Sequence, residues 1–390
     1  MGVLGIIVEY NPFHNGHLYH LNKAKSITGA DYTVAIMSGN FTQRGLPANL
    51  DKFTRTQLAL YYGVDMVVEL PVIYATSSAN YFASGAINLL NAIGVDYLCF
   101  GAENSDINIL KKLAETEEDE LYKSTIKKYL SEGMSFATSK EKATLQANPN
   151  FINMDGLFSS NSILGTEYLR ALKMTNSAIY PYAIQRDSSF VSATLINKCI
   201  INNIQSCREH VPNKTYLAII NFISKNNKPI NLDSFSSIFH YQLIKYRDIM
   251  PQFLGVDEGI ENRLLEKAYE HYNLSHIIMA IKTKRYPLAK LQRMVTHIIL
   301  DIKKEDIKKN STPPYVRVLG FKGSSQHLFK KISYLPIITN VKNARKVLDD
   351  KGYSLLKKDI FATDMYYIGQ GGYKNKRKQK KLEYTAPIII

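Results

Sequence analysis

Cysteine is scarce in this chain of 390 residues: there are three, Cys99, Cys199 and Cys207. Their odd number argues against a disulfide framework, and their spacing matches no metal site. No apolar run approaches the ~20 residues that a membrane-spanning helix needs. The opening "MGVLGIIVEY" has neither the basic leader nor the small-residue cleavage site of a signal peptide; it reads as a first β-strand. A reducing, cytoplasmic setting is expected. An acidic excess is also missing, since the net charge is +15. The positive charge is concentrated. Residues 201–390 carry 33 Lys/Arg against 16 Asp/Glu, whereas residues 1–200 carry 16 against 18. A near-neutral half is therefore joined to a basic half suited to a polyanion such as nucleic acid.

A chain this long implies two or three domains. Its first hundred residues alternate strand and helix. "VLGIIVE", "DYTVAIM" (31–37), "DMVVEL" (65–70) and "VDYLCFG" (95–101) read as buried strands,. Helical stretches at 16–27, 51–63 and 78–94 separate them,. That pitch predicts right-handed βαβ units and a Rossmann-like parallel sheet, with ligands at the carboxyl ends of its strands. The charged stretch 105–150 reads as a helical insertion, 159–173 as a helix, and 178–186 as a strand. Residues 188–200 are expected to return the chain to the sheet. The expected division is a nucleotide-binding catalytic domain over 1–200, a mainly helical basic domain over 201–310, and a small αβ tail over 311–390. That tail holds six basic residues between 374 and 381.

The chemistry concentrates in "VEYNPFHNGH", residues 8–17, where the first strand gives way to its helix. His14-Asn15-Gly16-His17 makes an anion site. A helix start offers unpaired N–H groups and the positive end of the helix dipole. Gly16, without a Cβ, lets phosphate approach the backbone. Two imidazoles can donate hydrogen bonds to phosphate oxygens, more strongly when charged. Pro12 restricts both itself and Asn11. No acid, thiol or serine stands beside the histidines to make a nucleophile. The expected chemistry is therefore stabilisation of a phosphoryl transition state by positioning and charge.

This turn is similar to the H-x-G-H signature of the nucleotidylyltransferase superfamily, which includes the class I aminoacyl-tRNA synthetases. With "SGNFTQRGLPANLDKFTR" (38–55), "GVDMVVELP" (63–71), "NSILGTEYLRALK" and "PYVRVLGF", the chain resembles the tRNA(Met) cytidine acetate ligase family. The resemblance is thin between about 200 and 310. It implies activation of acetate by ATP to acetyl-adenylate, then transfer of the acetyl group to N4 of the wobble cytidine of elongator tRNA(Met). It implies His14 and His17 as the catalytic pair. It also implies an ATP site formed by Ile7, Val8, Glu9, Tyr10, Asn11, Pro12, Phe13, His14, Asn15, Gly16, His17, His20, Gly101, Asn161, Arg186, Ser192 and Thr194. Mg2+ is expected as the ATP counter-ion, held mainly by phosphates, with no protein ligand named. No membrane and no obligatory protein partner are expected. "SATLIN" (192–197) resembles the superfamily's second signature, but Asn197 stands where an arginine is usual; Arg186 is the candidate replacement cation.

On the acetate or tRNA side, Ser38, Gly39, Asn40, Gln43 and Arg44 form a polar loop after the second strand. Asp51, Lys52 and Arg55 read as the start and decoration of a helix. Lys284, Arg285 and Arg293, then Arg317, are candidates for the RNA backbone. The 26 tyrosines offer rings for unpaired bases. Two other readings stay open, an adenylyltransferase of a small metabolite and a catalytically silent RNA-binding protein.

Overall fold

A computed structural model describes residues 1–226, 229–371 and 383–390. The near-continuous apolar runs of the first hundred residues form parallel strands buried on both faces. They are β1 (Val3–Val8), β2 (Tyr32–Ser38), β3 (Met66–Leu70) and β4 (Tyr97–Ala102); later in the chain β5 (Tyr180–Gln185), largely half-buried, extends the sheet. Between them run α1 (Asn15–Thr28), α2 (Lys52–Tyr61), the short α3 (Val72–Ala75) and α4 (Ala79–Ile93). Two of these helices stop where a glycine takes the left-handed conformation, Gly29 after α1 and Gly94 after α4,. The insertion after β4 comprises α5 (Ile107–Thr116), α6 (Glu120–Ser131) and α7 (Phe136–Ala147); α8 (Ser160–Met174) leads back to β5.

Residues 188–200 do not return to the sheet. Ser192 accepts a hydrogen bond from the Leu195 N–H and starts α9 (Ala193–Asn202), because a serine cap before an apolar i, i+3 pattern favours helix. The basic half continues with α10 (Asn213–Asn226), α11 (Ser236–Lys245), α12 (Ile260–Glu270), α13 (Leu274–Ile281), α14 (Leu288–Ile299) and α15 (Lys304–Lys309). The last stretch holds β6 (Val316–Phe321), β7 (Ile337–Ile338), α16 (Asp350–Gly369) and β8 (Ile388–Ile389).

The sheet runs in the order β5-β4-β1-β2-β3-β6-β7, with β8 also on β6. The fold is thus α/β, a mostly parallel Rossmann-like sheet with a mainly helical basic region. The stretch expected as a small αβ tail adds strands to the first sheet, since β6 pairs antiparallel with β3. Strand order reverses at β1, which has β2 on one side and β4 on the other. In open α/β sheets the loops diverge at such a switch point, and that is where the ligand crevice forms. Among the described residues no helix is long and apolar enough to cross a membrane.

Candidate functional site

The H-x-G-H turn lies at the carboxyl end of β1, at that crevice. His14 caps α1, its side chain accepting the His17 N–H at 3.3 Å. Nδ1 of His17 returns the bond to the His14 N–H, also at 3.3 Å. This is a capping box built from two histidines. It stacks the rings with centroids 3.6 Å apart. Each Nδ1 accepts a hydrogen bond from the backbone, which places the proton of a neutral ring on Nε2; the His17 ring also donates to the Pro12 carbonyl.

The surroundings of both rings favour their neutral form. Burial, with Arg186 as the second cause, pulls His14 down to about 4. Burial, then His14, His20 and Arg186, holds His17 well below the usual histidine range. Two stacked imidazolium rings at this separation would repel each other strongly. His20, brought down to about 4 by burial, has a buried Nε2 without a hydrogen-bond partner.

The helix start is less open than expected. The Asn15 N–H donates to the His210 carbonyl at 3.1 Å and the Asn15 side chain to the Glu209 carbonyl at 2.9 Å. That leaves the Gly16 N–H, with the His14 ring N–H, for an anion, since the His17 ring already donates to the Pro12 carbonyl. Glycine at 16 has a packing reason as well. A Cβ there would lie 3.0 Å from the His14 ring and 3.3 Å from Phe190, so any side chain would push the ring out of its stack. Tyr10 and Phe13 are buried and form the floor of the turn, with Phe13 stacked on Tyr62 at 4.8 Å. Gly101, near the end of β4, differs from Gly16. A Cβ there would meet only the His20 ring at 3.7 Å and a carbonyl at 4.0 Å, both ordinary contacts. Protein packing does not demand that glycine; a nucleotide lying against the strand would.

Glu103, which sequence reading passed over, gathers two of the expected ATP residues. Its carboxylate accepts from the Asn161 amide at 2.7 Å, the Arg186 guanidinium at 3.1 Å and the Ser159 hydroxyl. Despite the upward push of partial burial, these bonds hold its carboxyl below the usual range. Asn161 is in the first turn of α8, whose cap is Ser159. Arg186 lies close enough to His14 and His17 to lower both, so a cation is present despite Asn197. Asn197 accepts from the Asn49 amide at 2.5 Å, and the Asn49 N–H donates to Asn11 at 2.7 Å. The second signature is thereby tied to the first by hydrogen bonds. Ser192 caps α9 and Thr194 is exposed in its first turn. Ile7 and Val8 end β1, partly buried.

The loop after β2 does not present a polar edge to substrate. Ser38, Gly39 and Asn40 are buried. Asn40 holds the Lys52 N–H at 2.7 Å and donates to Thr363 at 3.3 Å. A Cβ on Gly39 would lie 2.6 Å from a Glu69 oxygen. These three are enclosed by the fold and shape the loop. Gln43 is half-buried; its N–H donates to Glu9 at 2.6 Å and its side chain to the Ser77 carbonyl at 3.2 Å. Burial raises the Glu9 carboxyl against the pull of that bond, Arg55 and Arg44. Arg44 is exposed.

Lys52 and Arg55 are not surface decoration. Arg55 is fully buried and donates to the carbonyls of Leu50, Glu9, Ser38 and Gly39. Arg317, expected on tRNA, is only 4 % exposed. It forms a buried ion cluster with Glu383 and, at 2.9 Å, Glu69. Lys52 completes the cluster at 2.8 Å from Glu69 and 2.6 Å from Glu383. Arg317 is therefore structural: withdrawing it to meet a phosphate would strand two buried carboxylates. Lys284 and Arg285 are exposed and, with Arg263, Glu258 and Tyr286, line an open cleft of about 340 Å³. Arg293 is half-buried against Gly45. The basic run 374–381 lies outside the described residues.

A family model described as HIGH Nucleotidyl Transferase matches residues 1–381. The chain belongs to the HIGH nucleotidyl transferase family. Among curated HIGH-family relatives, the tRNA(Met) cytidine acetate ligase of Thermoanaerobacter sp. (strain X514) is 40% identical over 406 residues, covering 100% of both chains. The protein of that name from Caldicellulosiruptor saccharolyticus is 41% identical over 410 residues, covering 100% of this chain and 99% of its own. The crystal structure of Thermotoga maritima TmcAL bound with alpha-thio ATP superposes with a TM-score of 0.92 at 32% identity, covering 100% of this chain and 99% of that one. The HIGH-family turn is thus His14-Asn15-Gly16-His17, placed where the strand order of the sheet reverses.

Proposed function

We propose that this enzyme is an ATP-dependent tRNA(Met) cytidine acetate ligase. The observation that carries the reading is the end-to-end match to relatives of that name, in a chain whose own H-x-G-H turn is built to receive phosphate. In the first step an acetate oxygen attacks the α-phosphorus of ATP. The new P–O bond forms as the bond to the bridging oxygen breaks, and pyrophosphate leaves. In the second, N4 of the wobble cytidine of elongator tRNA(Met) attacks the acetyl carbon. The C–N bond forms, AMP leaves, and N4 loses a proton to give N4-acetylcytidine.

For the first step this chain offers the Gly16 N–H, the Nε2–H of His14, held in place by the His17 ring, and Arg186. All are aimed at oxygens whose negative charge grows in the transition state. Neutral histidines suit that role, because they donate hydrogen bonds without burying further charge beside Arg186. Gly101 and Asn161 would border the nucleoside. Mg2+ would travel on the triphosphate. Among the described residues no group of three or more His, Cys, Asp or Glu could hold a metal ion, and Glu103 is already committed to three donors. A tRNA substrate places the reaction in the cytoplasm.

Purified protein incubated with labelled acetate, ATP, magnesium and total tRNA should label a single tRNA. Without tRNA it should still form acetyl-adenylate. ATP consumption that requires a different small metabolite, or RNA retention without turnover, would refute the assignment. For the tRNA backbone we assign Lys284 and Arg285 with Arg263. Lys284→Gln and Arg285→Gln should raise KM for tRNA and lower the salt dependence of tRNA binding by about one ion each. Acetyl-adenylate formation should stay unchanged.

A further inference from the structure

The base of the helical insertion is closed by the same carboxylate that touches the nucleotide site. Residues 103 and 159 bracket α5, α6 and α7. Across that gap Glu103 bonds Ser159 and Asn161, and from the neighbouring strand end it takes Arg186 at 3.1 Å. The Glu103 carbonyl is held too, accepting from the Gln185 side chain at 2.7 Å. The next residue is braced in turn: the Asn104 N–H donates to Ser162 at 3.4 Å. Glu103 is therefore fixed at both main chain and side chain, whereas Arg186 is 42% exposed along its side chain and, among the described residues, has this one ion pair. An exposed arginine held by a single rigid carboxylate has its rotamer set by that carboxylate. Among the described residues the guanidinium uses one Nη1 contact, and its other donors can meet phosphate oxygens,.

We propose that Glu103 is a positioning residue of the ATP site. It orients Arg186 and Asn161 before nucleotide binds, and so ties the foot of the insertion to the phosphate cradle. This rests on the ATP-dependent reading above. Glu103 itself needs no contact with substrate. Its carboxylate offsets the charge of Arg186, and its removal would leave a mobile guanidinium beside two stacked histidines.

A double-mutant cycle read in ATP affinity tests the proposal. ATP dissociation constants are measured by calorimetry for the full chain and for Glu103→Gln, Arg186→Gln and the double variant. ATP dependence of acetyl-adenylate formation is measured in parallel. Arg186→Gln should weaken ATP about tenfold or more, the scale of a lost charge-assisted hydrogen bond. Glu103→Gln should weaken it several-fold. The double variant should lose clearly less than the product of the two single losses, because much of the effect of Glu103 passes through Arg186 and the rest through Asn161. Glu103→Asp keeps the charge and should recover part of the loss, and it provides a second readout if Glu103→Gln fails to fold. Multiplicative losses in the double variant, or wild-type affinity in both Glu103 variants, would overturn the proposal. Absence of acetyl-adenylate with ATP binding intact would count against the ligase reading and leave this cycle readable.

Discussion

His14 and His17 illustrate how one residue type serves the backbone and the ligand at once. Their Nδ1 atoms build the cap of α1, and the opposite nitrogens carry the ring protons. His14→Ala or His17→Ala should lower acetyl-adenylate formation by about a hundredfold or more, as loss of a preorganised transition-state donor does. The pH behaviour follows from the depressed pKa values. His14 and His20 sit at about 4, so neither titrates between pH 6 and 8. ATP affinity should be level across that window; an inflection near 6.5 would contradict neutral rings. Stability carries the opposite signature. The unfolded chain takes up protons near 6.5 that the folded protein refuses until about 4. The fold should therefore lose stability as pH falls from 6.5 to 4, by about 3 kcal/mol per histidine, measurable by urea denaturation across that range.

At the scale of elements, the site depends on how the loop after β2 meets α14. Gly45 sits at φ 71°. A Cβ there would come within 2.6 Å of the Arg293 backbone. The Gly45 carbonyl accepts from Thr296 at 2.6 Å. The loop is thus pressed onto the helix with no room for a side chain. Gly45→Ala combines left-handed strain of about 1–3 kcal/mol with a backbone clash. It should lower the melting temperature markedly and cut transfer to tRNA more than adenylate formation, assayed separately. From the same loop, Asn49 bonds Asn11 on one side and Asn197 on the other and so binds the two signatures together. Asn197→Ala should unpair the Asn49 side chain and raise KM for ATP, with little change in far-ultraviolet dichroism.

Over the whole molecule, the buried cluster of Lys52, Glu69, Arg317 and Glu383 joins the end of the chain to the first βαβ units. Burial alone would raise Glu383, but Arg317 and Lys52 outweigh it and hold the carboxyl at about 2. Nearby Asp359 is pushed up to about 7 by burial and by Glu69, so the cluster resists a third negative charge. Glu383→Gln leaves two cations facing one carboxylate and should cost about 3–5 kcal/mol. In the wild type, the contribution of Glu383 is present above the ordinary glutamate value of 4.5 and is lost as pH falls toward 2. Denaturation of wild type and Glu383→Gln should therefore converge at acid pH.

Local sequence determined much of this protein. Periodicity marked β1 to β4 and the helices between them, because strands buried on both faces must be apolar throughout. The residues of the H-x-G-H turn were legible because a helix start after a buried strand has few uses for two histidines and a glycine. Tertiary structure decided what no short window contains. It paired β6 with β3 and buried Lys52, Arg55 and Arg317, since whether a cation faces water or a carboxylate depends on residues hundreds of positions away. It made Glu103 a hub by folding 159–161 and 186 back onto it. It also neutralised the histidines, because burial and the nearness of Arg186 arise only when the chain closes around them.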